Sequence, residues 1–148
     1  MAEFQSVGKL ISILHRKARV YFQQQLKPLE LSHGQVKIFM HLAQNDGVTQ
    51  RELTETFQLD KSSTSFLINS MVKNGFVRKI PHPIDRRSQI LSLTDKGHAM
   101  EQEVRAIFSG WTDLLLTDFS TAEREQLFSY LHRMIDNVNC VRTDRENS

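Results

Sequence analysis

The sequence predicts a mainly α fold carrying one small β-wing, and three observations predict it. Apolar side chains recur at the three-and-four spacing of a helix along most of the chain. Two start signals of the Ser/Thr-x-x-Glu/Gln type stand close together, at Ser32 and Thr49. Soon after them the helical spacing gives way to two short extended stretches around the polar turn HPIDRR, His82 to Arg87.

Taken in order, residues 5–26 place Val7, Leu10, Ile11, Leu14, Ala18, Tyr21, Phe22 and Leu26 on one helical stripe, which Pro28 stops. Ser32 with Gln35 forms a capping box and Leu31 with Val36 a hydrophobic staple, so a second helix starts at His33. Its expected buried face is Val36, Phe39, Met40 and Ala43, and Asn45-Asp46-Gly47 ends it. Thr49 with Glu52, stapled by Val48 and Leu53, repeats the signal for a short third helix that closes near Phe57. After the tight link Gln58-Leu59-Asp60, Asp60 caps a fourth helix that runs to about Asn74 and ends at Gly75.

The strands are Phe76 to Pro81 and Ser88 to Leu93, the second expected as a half-buried ribbon. Pro81 and Pro83 cannot donate ladder hydrogen bonds, so the connection between the strands projects as a finger. Thr94 caps a fifth helix with the stripe Val104, Ile107, Phe108, Trp111, Leu114 and Leu115. Ser120 with Glu123 begins a sixth, carrying Leu127, Leu131, Met134, Ile135 and Val138. The tail RTDRENS has no apolar residue and is expected to fray.

At 148 residues the chain reads as one domain able to bury a core without disulfides or metal. Hydrophobic content of 39% and charged content of 24% fit an ordinary soluble globule. No apolar run reaches membrane-spanning length, and MAEFQSVGK lacks the basic-then-apolar build of a secretory signal, so a cytoplasmic protein is expected. The single cysteine, Cys140, rules out an intrachain disulfide. Gly-rich phosphate loops, HExxH and nucleophile elbows are missing, which argues against an enzyme and against a bound cofactor.

The net charge of +2 is unevenly spread. Residues 49–97 hold eight basic against five acidic side chains, whereas residues 98–148 hold five against nine. A polyanion is the natural partner for the middle of the chain.

Two helices linked by a tight turn and followed by a hairpin make a winged helix-turn-helix, here over residues 32–97. On the fourth helix Thr64, Leu67, Ile68 and Met71 face inward. The opposite face presents Ser62, Ser65, Phe66, Asn69 and Lys73, with Ser63 at its flank, and Gln50 and Lys61 stand beside it at the starts of the two helices. Small hydroxyls, an amide and a lysine are what a major-groove reader needs. The terminal helices, residues 5–30 and 98–140, carry more apolar surface than the central module can cover, so a homodimer is expected. Two recognition helices related by a two-fold axis would meet major grooves about 34–36 Å apart on a roughly palindromic duplex. Each wing would then reach a minor groove, with Arg87 inserted, Arg86 on phosphate and Asp85 bracing the turn.

The segment NGFVRKIPHPIDRRSQILSLTDKG resembles the wing of MarR-type transcriptional regulators: a helix ending at Gly, a strand, an Asp-x-Arg turn, and Leu-Thr-x-x-Gly opening the next helix. The resemblance extends from about Val7 to Val138 and implies a dimeric double-stranded DNA binder, usually a repressor. It also implies that a small phenolic compound or aromatic carboxylate, or cysteine oxidation, lowers DNA affinity. Phe66 departs from the polar or basic residue expected on the recognition helix and suits a thymine methyl.

In proteins of this type the first two helices border a cleft, which makes His15, Arg19, His33, Lys37 and His41 candidates for holding such an effector. A solvated polar face is the plainer reading of the same residues. His33 and His41 lack a third ligand at diagnostic spacing for a metal, and Cys140 sits near the end of the last helix, away from any obvious basic environment. The competing functional readings are a winged helix that binds protein and a redox-responsive regulator working through Cys140.

Overall fold

A computed structural model describes residues 5–146. Among them the helices are α1 (Val7–Leu26), α2 (His33–Gln44), α3 (Gln50–Phe57), α4 (Lys61–Lys73), α5 (Asp95–Leu115) and α6 (Thr121–Glu146), with one tight helical turn at Lys27–Leu29. Strands β1 (Val48–Thr49), β2 (Val77–Pro81) and β3 (Gln89–Leu93) form an antiparallel sheet in the order β1-β3-β2. The chain divides into two compact units, one running to Trp111 and one starting at Thr112.

Hydrogen bonds set the helix boundaries that the capping signals predict. Ser32 Oγ accepts from the Gln35 amide at 3.1 Å while Gln35 Oε1 accepts from the Ser32 amide at 2.9 Å. Thr49 and Glu52 repeat the exchange at 3.2 and 2.6 Å, and Ser120 and Glu123 at 3.2 and 2.8 Å. The Thr49 amide and then its hydroxyl hold the Glu52 carboxyl below the usual carboxylate range. Gly75, at φ +80°, turns the chain out of α4: its amide bonds Val72 O at 3.0 Å and the Phe76 amide bonds Met71 O at 2.9 Å. A left-handed residue is needed there, and glycine adopts that conformation without a Cβ clash.

The third strand is an addition to the expected hairpin. Val48 and Thr49, which staple and cap α3, also pair with Leu91 and Ile90 of β3. A two-residue strand is too short to show a period in sequence. With β1 on one side and β2 on the other, β3 is central, and Leu91, Ser92 and Leu93 are all buried where a half-buried ribbon is expected. Pro81 sits on the edge strand β2 opposite Gln89, where its missing N–H leaves no ladder bond unmade.

The core of the first unit gathers around α2. Val36, Ile38, Phe39 and Leu42 are buried, while Met40 and Ala43 are only half-buried. The buried face is thus shifted from the expected one because α2 contacts α1, α4 and β3 and is covered over more than one stripe. Phe22 and Leu26 anchor the C-terminal end of α1 in this core, whereas Val7, Leu10, Ile11 and Leu14 are exposed. Gly97 sits where an added Cβ would stand 2.5 Å from the Phe76 carbonyl oxygen, so α5 leaves the sheet in close contact with the backbone.

In the second unit Leu116 is buried, and Arg124 donates to Leu116 O at 3.1 Å and to Asp113 Oδ1 at 3.5 Å. The apolar residues Leu131, Met134, Ile135 and Val138 of α6 are exposed. The helix continues through Glu146, so most of the tail expected to fray is helical; Arg and Glu have good helix propensity and no Gly or Pro intervenes. Asn147 and Ser148 lie outside the described residues. Among the described residues no helix is long and apolar enough to cross a membrane.

Candidate nucleic-acid interface

Burial of one side of α4 fixes what its other side presents. Thr64, Ile68 and Met71 are fully buried, and Leu67 half-buried. The Thr64 hydroxyl, bonded to Asp60 O at 2.9 Å and Thr54 Oγ1 at 3.2 Å, ties α4 to α3. Asp60 caps α4 by accepting from the Ser63 amide at 2.8 Å and the Ser63 hydroxyl at 2.6 Å. Those bonds, the hydroxyl's first, hold the Asp60 carboxyl below its ordinary range. Ser62, Phe66, Asn69 and Lys73 are consequently exposed, Phe66 to 75%. Ser65 is half-buried and accepts from Gln50 Nε2 at 2.6 Å. Asn69 Oδ1 accepts from Lys79 Nζ at 2.6 Å, across from the helix to β2.

The wing turn is stiffened by its own bonds. His82 Nδ1 accepts from the amides of Ile84 and Asp85 at 3.1 and 3.0 Å. Asp85 Oδ1 accepts from the Arg87 amide at 3.0 Å, and Asp85 O from the Ser88 amide at 3.0 Å. Asp85 therefore braces the turn by accepting from backbone amides. Arg86 and Arg87 stay exposed.

Helix and wing enclose one concavity of about 570 Å³, lined by Gln50, Arg51, Thr54, Glu55, Lys61, Arg86, Arg87, Ser88 and Gln89. Four of those side chains are cationic, and the one carboxylate, Glu55, is paired with Arg51 at 3.0 Å. The excess of positive charge along an open groove is the electrostatic footprint of a phosphate backbone. Gln50, Lys61, Arg86 and Arg87, proposed from sequence, thus meet in one place. Ser62, Phe66, Asn69 and Lys73 line the adjoining helix face, and Ser63 is occupied as part of the cap.

Among the effector candidates, Arg19 and His33 line one hollow of about 600 Å³ and Lys37 and His41 another of about 340 Å³. His33 stacks on Phe22 with ring centroids 5.6 Å apart, and His41 meets Phe57 edge-on at 5.6 Å. Burial pushes the His33 pKa down, and the nearby charges of Lys37, His15 and Arg19 push it the same way. His15 is therefore close enough to act on His33 electrostatically. Among the described residues no group of three His, Cys, Asp or Glu side chains is placed to hold a metal. Cys140 is free and exposed in the single chain.

Sequence reasoning left out Arg51, Lys79 and His82. Arg51 follows Gln50 on α3, and its place in the groove depends on how α3 packs against the wing. Lys79 is selected by strand register, and His82 by a turn geometry that no local motif announces.

The MarR family model matches residues 29–88. The HTH-type transcriptional regulator BilQ of Clostridioides difficile (strain CD3) is 28% identical over 134 residues, 90% of each chain. The crystal structure of a MarR transcriptional regulator from Methanosarcina mazei Go1 superposes with a TM-score of 0.85 at 30% identity, covering 91% of this chain and 97% of that one. A MarR-family transcriptional regulator from Listeria monocytogenes, crystallised with a 26mer DNA, has the same fold at TM-score 0.80 and 21% identity, over 91% and 90% of the two chains. Capped helix-turn-helix, stiff cationic wing and these likenesses agree: the chain belongs to the MarR family of winged helix-turn-helix, DNA-binding transcriptional regulators.

Proposed function

We propose that this protein is a cytoplasmic repressor that binds a roughly palindromic operator as a homodimer and leaves it when a small aromatic carboxylate or phenol binds. The carrying observation is the groove in which Gln50, Lys61, Arg86 and Arg87 converge beside the exposed face of α4. In this reading residues 32–97 hold the duplex, with Ser62, Ser65, Phe66, Asn69 and Lys73 toward the major groove. Arg87 enters the minor groove, and Arg86 and Lys61 meet the backbone around it, while Ser63, whose amide and hydroxyl are both given to Asp60, holds the start of α4 in place. Residues 5–30 and 98–140 dimerise, consistent with the exposed apolar side chains on α1 and α6. The DNA complex of the Listeria relative supports the same use of the fold.

The experiment is a gel shift with duplexes selected from a random pool, repeated at rising salt. Binding to two-fold symmetric sites, with affinity falling steeply as counterions compete, is the expected result. Absence of any shift at low salt overturns the proposal, and selected sites without symmetry overturn its dimeric part.

The effector part is supported by the hollow that holds Arg19 and the Phe22-stacked His33, a cation beside an aromatic shelf. A benzoate that binds there should raise the melting temperature and weaken DNA binding together, because the two effects are linked through one equilibrium. Stabilisation without loss of DNA affinity would remove the effector from the scheme.

A further inference from the structure

We infer that Lys79 and Asn69 act together as a cationic, donor-rich reader of guanine, an inference that rests on the DNA-binding reading above. Lys79 Nζ donates to Asn69 Oδ1 at 2.6 Å, joining β2 to the exposed face of α4. An asparagine amide carries one acceptor and one donor group, and adenine readout uses both: Oδ1 takes the N6 amino hydrogen while Nδ2 donates to N7. Here the acceptor faces an ammonium instead. Oδ1 keeps a second lone pair, but the ammonium beside it repels an approaching amino group, so what the pair offers a base is chiefly donors, the Nδ2 hydrogens of Asn69 and the remaining N–H groups of Lys79.

Guanine presents two acceptors, O6 and N7, on its major-groove edge, whereas adenine places an amino group where guanine has O6. A cation beside the amide therefore favours guanine and opposes adenine. The preference follows from charge as well as from one rotamer, so it survives stretching of the hydrogen bond. In the free protein this exposed contact is weak, and it gains strength when the duplex excludes water from it. A residue of the wing strand thereby sets the specificity of the recognition helix.

The test compares duplexes selected from a random pool by the wild type, Lys79→Met, Lys79→Arg and Asn69→Ala, with thermal melts to show that each variant folds. The wild type should select guanine at one position in each half-site. Lys79→Met should shift that position alone toward adenine by about tenfold in relative affinity. Lys79→Arg keeps a cationic donor and should keep guanine, and Asn69→Ala should relax the same position. Lys79→Met with unchanged base preferences overturns the inference, including the case where affinity falls uniformly, which would make Lys79 a phosphate contact. A wild type that binds duplex but selects adenine there also overturns it. A wild type that binds no duplex at all removes the DNA-binding reading and this inference with it.

Discussion

The unit that ends at Trp111 seals a core of its own, while in the unit that starts at Thr112 the apolar side chains of α6 face outward. Phe39, Leu53, Ile68 and Met71 have no exposed surface, yet Leu131 is 38% exposed, Ile135 56% and Val138 63%. The first unit closes because α2 is surrounded by α1, α4 and β3. In the second, one long helix follows a short turn, and a lone helix cannot cover its own apolar stripe. The difference teaches that the closed core of the first unit and the outward apolar stripe of α6 are separate surfaces, so substitutions should separate folding from the proposed dimerisation. The exposed N-terminal stretch of α1, from Val7 to Leu14, belongs with α6 in this respect.

The largest effect is expected in the sealed core. Phe39→Ala should lower unfolding free energy by about 3–5 kcal/mol, read from urea denaturation, because the ring is fully buried and its loss removes apolar burial and leaves a cavity. Near-wild-type stability would mean that the core is not closed as described. Next comes assembly: Leu131→Asp should yield monomers or aggregates in sedimentation, and an unchanged dimer would move the interface away from this part of α6.

The interface prediction is smaller in energy and leaves both units folded. Arg87→Ala should weaken operator binding about tenfold, with the melting temperature unchanged, since the side chain is exposed and the turn is held by His82 and Asp85. An equal loss for a duplex of unrelated sequence would reduce Arg87 to a backbone contact.

The smallest effect concerns His33. Its folded pKa lies below the ordinary 6.5, so just below 6.5 the unfolded chain binds more protons and stability rises with pH. The contribution is complete above 6.5 and is lost as pH falls through the lowered folded value. Melting temperatures measured from about pH 7.5 down to about pH 5 should fall less for His33→Gln than for the wild type. Parallel curves would show that stacking on Phe22 leaves His33 as free to ionise as in the unfolded chain.

Local chemistry made much of this legible. The reciprocal bonds at Ser32/Gln35, Thr49/Glu52 and Ser120/Glu123 involve residues three apart, and so do their sequence signals. Gly75 and the hairpin prolines are similarly local, and the Asp85-x-Arg87 turn stands out for the same reason. Features that need distant partners were hidden: β1 forms only because β3 arrives beside it, and Ile38 and Leu42 are buried only because α2 is covered on several sides.

The sequence by itself determined where the helices start and where all but the last stop, which side of α4 is polar, and that two arginines ride on an exposed turn. Each of those follows from residues within a few positions of one another. Only the tertiary structure decided that Arg51 joins Lys61, Arg86 and Arg87 in one groove, that Ser65 is partly spoken for by Gln50, and that Asn69 meets Lys79. The physical reason is that hydrogen bonds and charge act across a few ångströms of space, and residues from α3, α4 and the wing reach that distance only after the core beneath them has closed.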